Sequence, residues 1–314
     1  MRVVSALLFL FFLGTFAPVR LMPPNPPPAV AFVSFEPLEW RGRRPVGPLR
    51  WLGAWRLESN DWRFGGLSAM HVENGKVLAV SDSGWMIRFP LVDEGPGRAT
   101  ISPLPGRLGA TARKPDRDVE SLVVHGRYLW LGMERKNAVW RFAGPVWQED
   151  GRARPAGMAK WSENRGAETM VRLRDGRFLV IAEGARNGLS EVLIFLGDPA
   201  TPGTTAIRMR YKPPQGYRVT DGALLPDGRV LLLHRRTKLF EGITAKLALA
   251  DLSAAKQGDL LVPQEIAALA PPQPVDNMEA LSVTRENGRT IVWIASDDNY
   301  MPLQRTLLLK FALD

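Results

Sequence analysis

The chain has 314 residues, 45% of them apolar, with 29 Gly and 26 Pro; this is enough for one large or two medium domains, and richer in turns than a helix bundle. It has no Cys and only His71, His125 and His234, and it contains no HExxH, GxxxxGK[ST] or GxSxG stretch, so disulfides, thiolate zinc sites, cysteine nucleophiles, zinc hydrolases, P-loops and serine hydrolases lose their sequence support. The formal net charge is +9, but no basic stripe is interleaved with aromatics, and nucleic acid is not an expected partner.

From the N-terminus, Val3 to Val19 is an uncharged, mostly apolar stretch between Arg2 and Arg20. Residues 1–21 read as a signal peptide or an N-terminal membrane anchor. Either reading implies export to the periplasm or medium, with an inner-membrane tether if the segment stays. Residues 22–48 carry eight prolines and read as a Pro-rich tether. The folded body is expected over 49–314, opening with a strand at 49–59, LRWLGAWRLES.

Five stretches then share one grammar: FGGLSAMHVENGKVLAVSDSG (64–84), DVESLVVHGRYLWLGMERK (118–136), GAETMVRLRDGRFLVIAEG (166–184), VTDGALLPDGRVLLLHRR (219–236) and NMEALSVTRENGRTIVWIASDDN (277–299). Each has a small or acidic pair, an apolar run, a turn with Gly, a second apolar run and a polar cluster. Asn-Gly or Asp-Gly between apolar runs predicts a β-hairpin. Near-continuous apolarity predicts strands buried on both faces. A period near 50 residues with four short strands per unit predicts an all-β β-propeller of five blades. The strand 49–59 would complete the last blade beside 306–313 and leave no open edge. A sixth unit within 237–276 or a helix near 253–270 stays open, as do two packed β-sandwich domains.

In a propeller the innermost strand comes first in each blade, so the residues before it and after its hairpin partner meet at one channel mouth. Aligning the repeats on Leu67, Leu122, Met170, Ala223 and Leu281 gives an inner set of Gly65, Glu120, Glu168, Asp221 and Glu279. The second set is Asp82, Glu134, Glu183, His234-Arg235 and Asp297-Asp298. Arg135, Lys136, Arg186, Arg235 and Arg236 fall on the same face. A ring of carboxylates needs cations or a metal, and oxygen ligands in number suit Ca²⁺ or another hard divalent cation. The same acids could instead accept backbone hydrogen bonds from the next blade or pair with Arg135 or Arg235, joining blades. His71 and His125 fall near turns at the other end, whereas His234 is a base, a ligand or a plain strand end. Ser68 and Ser282 lack a histidine partner for nucleophilic work.

These motifs resemble the "esterase-like activity of phytase" family of bacterial exported proteins, over roughly residues 50–314. The resemblance implies an exported phytase-like propeller and hydrolysis of a phosphate ester or other ester. On that picture Glu120, Glu168, Asp221 and Glu279 hold the cation, and Asp82, Glu134 or Glu183 holds or deprotonates a water. Arg135, Arg186, Arg235 and Arg236 receive a small phosphorylated or ester substrate, in a monomer. The well-understood propeller phytases have six blades, and this chain has no DxDxDG calcium loop. A non-catalytic envelope propeller binding a ligand or protein on the same face, and a lactone or sugar enzyme of the propeller type, stay open beside it.

Overall fold

The computed structural model describes residues 26–41, 47–109, 116–162, 166–183, 187–238 and 241–313. The expected signal or anchor at 1–21, and Arg186, lie outside them. Two strands come first, β1 (Ala31–Pro37) and β2 (Leu49–Ser59). Antiparallel meanders follow. The first is β3 (Leu67–Glu73), β4 (Lys76–Ser81), β5 (Trp85–Pro90) and β6 (Gly95–Pro103). The second is β7 (Val119–His125), β8 (Tyr128–Met133), β9 (Ala138–Ala143) and β10 (Gln148–Ala153). The third is β11 (Ala167–Arg172), β12 (Phe178–Ala182), β13 (Ser190–Phe195) and β14 (Ala206–Tyr211). The fourth holds β15 (Arg218–Leu224), β16 (Val230–Lys238) and β17 (Gly242–Ala250); past the two-residue β18 (Leu260–Leu261) it ends in β19 (Gln264–Leu269). The last is β20 (Met278–Glu286), β21 (Arg289–Ser296) and β22 (Leu307–Leu313), completed by β2, whose Leu49 lies opposite Leu313.

The first strands of the meanders neighbour one another in a closed cycle, β3–β7–β11–β15–β20–β3. That cycle defines a β-propeller around a central channel. The apolar runs are explained by the space between blades: each of five core clusters lies between two successive meanders. One, for example, joins Trp130 and Val139 to Met170 and Phe178, and another joins Ile181 and Ile194 to Val230 and Leu232. Buried on both faces, such strands have no polar side to alternate. The hairpin turns obey their chemistry: Asn74-Gly75 and Asn287-Gly288 have positive φ at both central residues, as a type I′ turn requires.

One expectation is revised. Residues 31–37, assigned to the tether, form β1, which pairs with both β2 and β6. Its Ala31, Val33 and Phe35 are buried and alternate with exposed positions, a half-buried strand pattern masked by the surrounding prolines. Within 237–276, left open to a sixth unit or a helix, Leu260–Leu261 form β18, which runs parallel to β14 of the third blade; β19 takes the outer place of the fourth beside β17. The strands β17 and β19 thus belong to the fourth meander, and among the described residues the helical content is one 3₁₀ turn, Gly106–Leu108.

Candidate functional site

The inner strand of a blade turns its edge, not a side-chain face, toward the channel, so an ordinary ladder would keep carboxylates out of it. A β-bulge solves this in every meander. The ladder slips by one residue between Leu67 and Ala69, Val119 and Ser121, Ala167 and Thr169, Val219 and Asp221, and Met278 and Ala280. An extra residue at a bulge is left unpaired and its side chain is re-aimed. The equivalent residues are therefore Ser68, Glu120, Glu168, Thr220 and Glu279.

This corrects the sequence alignment, which placed Gly65 and Asp221 in that ring. Apolar runs shift freely by a residue or more, and only pairing register shows where the bulge falls. Asp221 lies one residue beyond its bulge. Its carboxylate accepts from the backbone N–H of Leu281 in the next blade (2.7 Å) and of Gly222 (2.7 Å). It joins blades and is not available as a cation ligand. The hydroxyls at the two non-acidic bulges also bridge, Ser68 donating to the Val119 carbonyl (2.6 Å) and Thr220 to that of Met278 (3.1 Å).

One strand further out, the residues closing each hairpin are Asp82, Glu134, Glu183, Arg235 and Asp297. The backbone N–H of four of them bonds to Gly66, Asp118, Gly166 and Asn277 respectively, and Arg235 lies opposite Arg218. This ring follows the expected positions, with Arg235, not His234, as the fourth member. His234 turns into the blade, where it is fully buried, hydrogen-bonded to the Tyr211 hydroxyl and near the Lys246 carbonyl (3.3 Å). Burial pushes its pKa down to about 4, so it is a neutral structural imidazole.

Two carboxylate triads stand out. Oxygens of Asp118, Glu120 and Glu134 lie within 4.8 Å of one another, and so do those of Glu134, Glu168 and Glu183, with Glu134 common to both. Glu168 is buried, 9% exposed. Glu120, Glu134 and Glu168 accept no hydrogen bond and form no ion pair with any described residue. Burial and the neighbouring acids raise the pKa of Glu120 and Glu168 well above the usual carboxylate range. The same causes, burial first and then Asp118 and Glu183, push Glu134 up to about 7.

Glu279 and Glu183 already have cations beside them. Arg235 meets Glu279 at 3.0 Å, bonds to the Asn277 side-chain carbonyl and approaches Glu183 at 4.0 Å, while Arg218 reaches Glu183 at 3.3 Å. Glu279, expected as a cation ligand, thus has a guanidinium as its counter-ion. Arg235, expected to receive substrate, is used up in the ring. Arg236 points outward, paired with Glu241 (2.7 Å) and stacked over Tyr217. Asp82 lies near Glu279, Asp297 and Tyr300 of the adjoining last blade, apart from the triads. Of the expected anion receivers, Arg135 stands by the first triad, 2.9 Å from Asp118, and Arg235 by the second, 4.0 Å from Glu183.

Arg135 also lines a cavity of about 760 Å³ on the outer side of the second blade, with Arg107, Arg152, Arg154, Trp140 and the Lys136–Asp116 ion pair (2.6 Å). Sequence reasoning missed Asp118, Arg107, Arg152 and Arg154. Asp118 was marked only by its place two residues before the bulge glutamate, and the three arginines come from separate turns and strands that no local motif connects.

The fold and site define a β-propeller with one acid-lined channel mouth, in which Glu120, Glu134 and Glu168 form no ion pair with any described residue. The chain belongs to the phytase-like family described as "esterase-like activity of phytase", whose model matches residues 62–300. No curated protein matches it. Among solved structures it is similar to the glutaminyl cyclase of Myxococcus xanthus (10% identity, 86% of this chain and 100% of that one, TM-score 0.47). It is also similar to a thermostable family-43 glycoside hydrolase (10% identity, 78% and 89%, TM-score 0.47) and to the Cps50 (Swd1) β-propeller domain of Myceliophteria thermophila (9% identity, 89% and 100%, TM-score 0.40). Likenesses at this level say nothing about the reaction.

Proposed function

We propose that the protein is an exported hydrolase that cleaves a phosphate ester, or another ester carrying an anionic group, with the help of a divalent cation held at the acidic mouth. The observation that carries this reading is the pair of triads sharing Glu134, in which Glu120, Glu134 and the buried Glu168 take part in no ion pair or hydrogen bond with any described residue, although Arg135 and Arg235 stand near Glu134 and Glu168. Uncompensated buried carboxylates are costly, and several oxygen donors converging within one ion's reach fit Ca²⁺.

The donor set fits the ion, and Asp118, Glu120, Glu134, Glu168 and Glu183 are the residues that would hold it. When bound, the cation supplies Lewis-acid stabilisation of charge on the substrate and lowers the pKa of a bound water. The chain's own groups do the remaining work. Arg135 stands between the triad and the cationic cavity, where Arg107, Arg152 and Arg154 orient an anionic substrate group. Arg235 and Arg218 hold Glu183 in place, and a carboxylate of the triads that is not engaged by the ion accepts the proton of the attacking water.

The test is release of phosphate from aryl phosphates and phytate, and of alcohol from aryl carboxylate esters, with Ca²⁺ or with EDTA. Ca²⁺-dependent turnover lost at least about a hundredfold in the Glu120→Gln/Glu168→Gln double variant is expected. Turnover that ignores both EDTA and that variant would sink the proposal.

A further inference from the structure

The channel has a second mouth, at the turn ends of the inner hairpins, and its chemistry is the reverse of the first. A cavity of about 370 Å³ opens there, lined by residues of β3, β7, β11, β15 and β20. Its titratable lining groups are all bases: His71, His125, Arg172 and Arg174. The wall between them is apolar, built from Met70, Met170, Leu281 and their neighbours.

The two arginines are without partners. Neither Arg172 nor Arg174 forms a hydrogen bond or ion pair with any described residue, and Arg172 is half-buried. Two turn arginines on this face are paired, Arg177 with Asp175 and Arg229 with Asp227, both at 2.7 Å. The His71 Nε2 is also buried without a hydrogen bond, and Glu73, which is not part of the lining, stays 4.0 Å from it. A half-buried guanidinium left unpaired beside an apolar wall is complementary to a carboxylate on an apolar body. The guanidinium fork pairs with the planar head, and the Met and Leu side chains take the tail. The volume falls in the usual range for small-molecule sites.

We infer that this mouth is a second binding site, distinct from the acidic one, for a small amphiphilic carboxylate.

The experiment is calorimetric titration of the full-length protein with octanoate. The expected result is binding below about 1 mM, weakened at least about tenfold by Arg172→Gln and severalfold by Arg174→Gln. Octanol, which has no charge, and inorganic phosphate, which has no apolar body, should each bind at least about tenfold more weakly. Arg174 is exposed, so its variant keeps the test usable if Arg172→Gln fails to fold. No octanoate binding by the wild-type protein, binding unchanged in both arginine variants, phosphate bound as tightly as octanoate, or binding abolished by Glu168→Gln at the opposite mouth would each overturn the inference.

Discussion

Glu134 is the residue on which the acidic mouth turns, since it belongs to both triads. Its pKa near 7 lies well above the roughly 4.3 of a free glutamate. Between those two pH values the folded protein holds a proton that the unfolded chain has released. Stability from this group is therefore full below the unfolded pKa and lost as pH rises through about 7. Glu120 and Glu168 shift in the same direction. The cation-free protein should melt at a lower temperature at pH 8 than at pH 5. Added Ca²⁺ should recover most of the difference at pH 8 and little at pH 5, where protons occupy the site. Thermal unfolding with and without EDTA measures both effects, and a melting temperature that rises toward pH 8 without cation would contradict this account.

The bulged hairpin is the element that turns a structural ring into a chemical one. Its strands were legible in the sequence because burial between blades removes the polar alternation and leaves Asn-Gly or Asp-Gly as the visible break. The bulge was not legible. Glu120, Glu168 and Glu279 were found because an acid there interrupts the apolar run, whereas Ser68 and Thr220 blend into it and Asp221 imitates them one residue off. The approach of neighbouring blades was equally hidden. Gly166 lies against the backbone of Glu134, and a Cβ there would come within 2.4 Å of the Glu134 Cα. Gly166→Ala should push the second and third blades apart at the shared carboxylate. We expect it to weaken Ca²⁺ binding at least about tenfold while removing no ligand. Calorimetric titration tests this, with Gly197→Ala, whose φ is not positive and whose new Cβ would meet nothing nearer than 3.7 Å, as a control for the added methyl.

At the scale of the molecule, β1 makes one nine-stranded sheet of the last blade, the seam and the first blade. Its buried Val33 and Phe35 join the cluster that includes Leu57, Phe89 and Trp293. Val33→Asp would bury a charge in that seam. It should lower stability by about 3 kcal/mol or more, read by urea denaturation, with the loss appearing as earlier exchange of β2 and β6 amides than of β11 to β13. Uniform exchange across all blades would argue that the seam is not the weak joint.

The pairing of β2 with β22 also sets a timetable. The strand that completes the last blade is made before the first meander, and its partner Leu307–Leu313 only after β21. Until then β2 has an unpaired edge, the kind of surface that recruits other strands. Contacts this distant along the chain make closure slow. A nascent or stalled chain lacking those last residues is thus not a smaller propeller but an open ribbon, and its expected fate is aggregation or proteolysis.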